Sequence, residues 1–196
     1  MSKFFTVFLL SLFLSGCVTT TTQAPDPEGY PPPQAFNSYK VYKKPPPLTV
    51  PDSQKADFVL VQKSQNKMFL KRDGRVLRSY SISLGQNPVG PKLERGDLRT
   101  PEGRYYLNYK NDDSQFYRSI HISYPNEYDI ARAERRGVDP GDAIVIHGLP
   151  NDIRDRDIEG YLSPKNWTEG CIAVRNSEMD EIWSMVDLDT PIEIRP

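Results

Sequence analysis

Thr168-Glu169-Gly170-Cys171-Ile172-Ala173-Val174-Arg175-Asn176 is the stretch of this chain whose reading decides the fold. Ile172 to Arg175 reads as a short strand, so the Cys171 thiol stands where a turn enters a sheet. Gly170 lets the backbone turn tightly just ahead of the thiol and bring an amide close to a substrate oxyanion. Downstream, Ser177 with Asp180 reads as a helix start. Met179, Ile182, Trp183 and Val186 then recur at i, i+3, i+4 and i+7, which gives that helix one buried face. The sequence closes on the alternating run Ile192-Glu193-Ile194, a strand.

Working upstream, the pattern is again of short strands. Runs at 58–63, 67–72 and 75–84 carry β-forming residues, and Asp73-Gly74 between the last two predicts a tight hairpin. Residues 85–102 are rich in Gly, Pro and charge and should form one long loop, a length that is often functional. Strands are expected at 104–108, 119–123 and 142–147, the last closed by Gly148. Asn126 with Asp129 marks a short helix ending near Gly137. The expected domain, 53–196, is therefore mostly β with two short helices, of the α+β class.

Cysteine chemistry needs the thiolate, and a free thiol with a pKa near about 8.5 is only a few per cent ionised at neutral pH. A neighbouring imidazole supplies the missing base, and the sequence holds only two histidines, His121 and His147. His147 ends a strand at His147-Gly148, an edge where catalytic groups tend to be displayed. His121 lies mid-strand, facing away from Ile120 and Ile122, and reads as structural or substrate-flanking.

The N-terminal residues point to export. Lys3, an apolar run of about eleven residues from Phe4 and then Leu14-Ser15-Gly16-Cys17 read as a signal peptide over 1–16, because the run is too short to span a bilayer. Leu14-Ser15-Gly16-Cys17 resembles the bacterial lipobox, which implies diacylglycerol on Cys17, a membrane anchor and, with Val18 following, an outer-membrane location facing the periplasm. Residues 17–52, rich in Thr and Pro, read as an extended tether that reaches on the order of 100 Å. With 25 basic against 26 acidic residues there is no basic tail or patch to argue for nucleic acid. If Cys17 is lipidated, Cys171 has no intramolecular partner, which leaves a candidate reactive thiol. One free cysteine and two histidines match no zinc pattern, and a thiol switch would lack its resolving cysteine.

His147-Gly148, followed after a spacer by Thr168-Glu169-Gly170-Cys171 and Asn176, resembles the signature of the L,D-transpeptidase (YkuD) catalytic domain: a histidine, a spacer, Ser/Thr-His-Gly-Cys and a downstream Asn. Ser83-Leu84-Gly85 and Thr100-Pro101-Glu102-Gly103 also look like family segments. The resemblance implies a β-sandwich catalytic domain in which Cys171 attacks the carbonyl after the third residue of a peptidoglycan stem peptide. It implies His147 as base, with the Gly148 carbonyl orienting the imidazole. Thr168, Gly170, Arg175 and Asn176 are implied at the oxyanion or substrate. No metal or organic cofactor is implied. The thioester would pass to an amine, including one on an envelope protein, or to water in an L,D-carboxypeptidase or amidase. A non-catalytic peptidoglycan-binding lipoprotein is the remaining reading. Glu169 stands where many members have histidine, Ala173 where many have arginine, and the spacer is somewhat long.

Overall fold

The computed structural model describes residues 44–152 and 166–196. The expected signal peptide, Cys17 and residues 17–43 of the expected tether lie outside the described residues, as do residues 153–165. Among the described residues, no helix is long and apolar enough to cross a membrane.

Eight strands join in one hydrogen-bonded sheet: β1 (Phe58–Gln62), β2 (Lys67–Arg72), β3 (Arg75–Ser81), β4 (Gly103–Ser114), β5 (Tyr117–Ile122), β6 (Val145–His147), β7 (Ile172–Ala173) and β8 (Thr190–Arg195), in the order β3-β2-β1-β8-β4-β5-β6-β7. Two helices are described, α1 (Glu127–Arg136) and α2 (Asn176–Met185). Among the described residues, the mostly β architecture with two helices expected from the sequence is the one observed.

Local chemistry explains several elements directly. Asp73 and Gly74 both sit at positive φ, 49° and 75°, which is what the expected two-residue hairpin turn requires. Asn126 accepts from Tyr128 N and Asp129 N while Asp129 reaches back to Asn126 N, the capping box expected for α1, and Gly137 closes that helix at φ 67°.

Other boundaries moved for non-local reasons. The strand expected at 104–108 runs on to Ser114, because Asn111 and Ser114 pair with Ser119 and Tyr117 of β5. The polar run Asn111-Asp112-Asp113 has no apolar alternation to reveal this. The second helix starts at Asn176, and Glu178, not Asp180, caps it: its Oε2 accepts from Arg175 N at 3.0 Å. Asp180 is engaged elsewhere, accepting from Tyr117 Oη and Arg118 Nη1 at 2.8 and 2.5 Å.

Arg118 of β5 is a buried junction. Its guanidinium also donates to Asp112 of β4 and to the Pro45 carbonyl, at 2.6 and 2.7 Å. Leu48 N donates to Ser184 Oγ of α2, and Val50 packs on the core, so residues 44–50 lie along the domain.

The part of the sheet that matters for function is β5-β6-β7. The register aligns Ile120 with Ile146 and Ile146 with Ile172, and all three side chains are fully buried. Each contributes about 1.5 to 3 kcal/mol by leaving water. Because side chains alternate between faces, anchoring this row in the core fixes what the opposite face presents.

Candidate active site

Two rows stand on that opposite face. Ser119, His147 and Ala173 are aligned across β5, β6 and β7. His121 is aligned with Val145, and one step back along the parallel β6-β7 pair sets Val145 beside Cys171. Cys171 and His147 therefore share one face of neighbouring strands as diagonal neighbours, with Cα atoms about 8 Å apart by strand spacing and rise. Both side chains point the same way from there.

The long separation of the two residues in sequence has a topological cause. β6 and β7 are parallel, and parallel neighbours need a crossover of at least about a dozen residues. In the sequence, residues 148–171 lie between these two strands.

The imidazole is held in one tautomer. His147 Nδ1 lies 2.6 Å from the Gly148 carbonyl oxygen, which can only accept, so Nδ1 carries the proton and Nε2 of the neutral ring is the open acceptor. The next peptide N–H, Leu149 N, donates to Asn176 Oδ1 at 2.8 Å. A single peptide group thus links Asn176 to His147. Gly148 is required here by close approach: an added Cβ would stand 2.6 Å from Asn176 Oδ1 and 2.8 Å from Tyr117 Cβ.

Aromatic rings cover the histidine. Phe116 and Trp167 lie 4.6 and 5.7 Å from it between ring centroids. Phe116 also lines a cleft of about 350 Å³ with Gln115, Pro150, Asn151 and Asp152. Burial in this enclosure pushes the His147 pKa down to about 4, against a smaller upward pull from the Gly148 carbonyl. The ring is neutral at physiological pH.

Cys171 is half-buried, with Sγ 3.6 Å from the Ala143 carbonyl. Ala143 sits in the left-handed region at φ 57°, which turns that carbonyl toward the thiol. Burial raises the thiol pKa; the Val145 backbone amide and the Lys92 ammonium lower it, and Glu169 raises it. Thiol and imidazole therefore rest in their neutral forms. Such a pair works by transferring the thiol proton as the nucleophile attacks, the general-base mode.

The remaining expected residues divide. Thr168 Oγ1 donates to the Cys171 carbonyl at 2.7 Å and accepts from Gly170 N at 3.2 Å, so it staples the turn that carries Cys171. Gly170 is at φ 138°, and an added Cβ would lie 2.7 Å from the Arg99 carbonyl oxygen; only glycine fits. Its amide faces Thr168 in this turn, where the sequence had suggested an oxyanion donor. Arg175 is exposed at the start of α2, and Asn176 acts through the Gly148-Leu149 peptide. Ala173 is the register partner of His147 on β7 and is buried. Among the described residues, no cluster of three His, Cys, Asp or Glu is placed to hold a metal ion.

Sequence reasoning missed Phe116, Trp167, Ala143 and Lys92. Trp167, next to the Thr168 motif, was the one with a local signal, an aromatic residue beside the turn that carries Cys171; the others reach the site through pairings distant in sequence.

This arrangement has known counterparts. The YkuD family profile, described as the L,D-transpeptidase catalytic domain, matches residues 56–194, and the chain belongs to that family. A relative from Escherichia coli (strain K12), named "Putative L,D-transpeptidase YafK", is 32% identical over 114 residues, 57% of this chain and 38% of the relative. Among solved structures, the helical cell shape determining protein Pgp2 from Campylobacter jejuni is similar with a TM-score of 0.51 and 26% identity, over 70% of this chain and 46% of Pgp2. The chain thus spans less than half the length of either relative.

Proposed function

We propose that this chain is a peptidoglycan L,D-transpeptidase that forms or exchanges bonds at the third residue of stem peptides through a thioester on Cys171. The observation that carries this reading is the placement of Cys171 and His147 on one sheet face, with Nδ1 committed to Gly148 and Nε2 open. Membership of the L,D-transpeptidase catalytic-domain family supplies the substrate class.

In this mechanism Cys171 sulfur attacks the carbonyl after the third residue as its proton passes to His147 Nε2. The C–N bond to the terminal D-alanine breaks, and His147 returns the proton to the leaving amine. An amine of a second peptide or an envelope protein then forms a new C–N bond. The C–S bond breaks with its electron pair on sulfur, and the surplus amine proton returns through His147 to the thiol. Water in place of the amine gives a trimmed tripeptide. Arg175, exposed at the start of α2, is assigned to substrate contact.

Leu14-Ser15-Gly16-Cys17 supports a lipid anchor on Cys17, and Val18 after it supports an outer-membrane location facing the periplasm. Labelled palmitate should enter the wild-type chain and not Cys17→Ala.

The deciding experiment incubates the protein with purified disaccharide-tetrapeptide and follows dimers, tripeptides and released alanine by mass spectrometry. Cys171→Ala should form none of them while keeping its fold. Turnover by folded Cys171→Ala would overturn the mechanism. His147→Ala should fall by about 10²- to 10⁴-fold, with partial recovery at alkaline pH as unaided thiolate forms.

A further inference from the structure

His121 has a geometry that the acyl-enzyme mechanism does not use. It belongs to the row His121-Val145-Cys171, so it stands on the same face as the nucleophile and two strands away, about 10 Å between Cα atoms. The exposed Tyr109 continues that row onto β4 as the register partner of His121. The row crosses four strands and stays open to solvent, whereas the row of Ser119 and His147 is buried.

A second residue orients the His121 ring. The β4-β5 register slips between Leu107 and Tyr109, which leaves Asn108 as the extra residue of a bulge. Bulges re-aim side chains, and this one sets Asn108 Oδ1 2.7 Å from His121 Nδ1. The amide oxygen can only accept, so Nδ1 is the protonated nitrogen and Nε2 of the neutral ring is an acceptor. Burial lowers the His121 pKa, with Asp142 pulling weakly the other way. Asp142 itself is exposed and paired with Arg95 at 3.3 Å.

An oriented acceptor nitrogen on the nucleophile's face, with a carboxylate close by, fits a group that donates N–H. We propose that His121, held by Asn108, forms the acyl-acceptor subsite, where its Nε2 takes an N–H of the attacking amine of a second stem peptide. This rests on the stem-peptide reading above and names the contact that favours an amine over water at the thioester.

The test is the ratio of dimer to tripeptide formed by the full chain from purified disaccharide-tetrapeptide, with folding followed by thermal unfolding. His121→Ala should lower the ratio about tenfold, the effect of losing one hydrogen bond to an amine. His121→Gln, whose amide oxygen still accepts, should recover part of it, and Asn108→Ala should lower it less than His121→Ala. An unchanged ratio in folded His121→Ala overturns the inference. Wild-type protein that yields tripeptide without dimer also overturns it but leaves the acyl-enzyme mechanism standing. If neither product forms, the underlying reading fails and the subsite fails with it.

Discussion

Asn176 Oδ1 accepts the Leu149 N–H at 2.8 Å, and the carbonyl of that same peptide group, from Gly148, receives the His147 Nδ1 proton at 2.6 Å. The first residue of α2 thereby sets the plane of the peptide that orients the imidazole. Asn176→Ala should lose the anchor, let the peptide rotate and cut turnover by at least about tenfold, since small misplacements of a base are costly. Asn176→Asp keeps an acceptor oxygen and should retain more activity than the alanine variant. Equal activities in the two would show that the anchor does not matter.

The neutral resting state of Cys171 has a direct readout in alkylation. Because burial raises the thiol pKa above its ordinary value, the rate with iodoacetamide should keep climbing as pH rises through and beyond neutrality, without a plateau there. Glu169→Gln removes a charge that raises this pKa and should speed alkylation at neutral pH. A plateau below pH 7 would instead reveal a preformed thiolate-imidazolium pair.

His147 links stability to pH. Its folded pKa of about 4 lies below the unfolded value of about 6.5, so on acidification the unfolded chain takes up a proton that the folded one refuses. Stability should therefore fall as pH drops from about 6.5 to about 4, by about 3 kcal/mol from this group, and level off below. Urea unfolding of wild type and His147→Gln across that range isolates the effect, because the carboxylates common to both cancel. Parallel curves would contradict a buried neutral histidine.

Arg118 offers a prediction about the fold. Its guanidinium is buried against Asp112, Asp180 and the Pro45 carbonyl, and removing it leaves Asp180 without its cation. Arg118→Met should destabilise by about 3 to 5 kcal/mol in urea unfolding. A loss below about 1 kcal/mol would mean the junction is replaceable.

The sequence by itself determined what depends on neighbours in the chain. The Asp73-Gly74 turn, the α1 capping box and the apolar stripe Met179-Ile182-Val186 rest on residue types a few positions apart, where short-range sterics and hydrogen bonds decide; the choice of Cys171 with His147-Gly148 rests instead on there being only two histidines and on the motif around each residue. The tertiary structure decided the remainder. The length of β4 depends on pairing with β5, the start of α2 on Glu178 while Arg118 and Tyr117 claim Asp180, and the roles of Thr168 and Asn176 on which backbone groups come within reach. Most of all, one fully buried row, Ile120-Ile146-Ile172, turned His121, His147 and Cys171 onto the same face. A strand has a side-chain period of two, so a shift of one residue in register would have faced each of them the other way; register is set by partners far away in the sequence, and only the folded sheet chooses them.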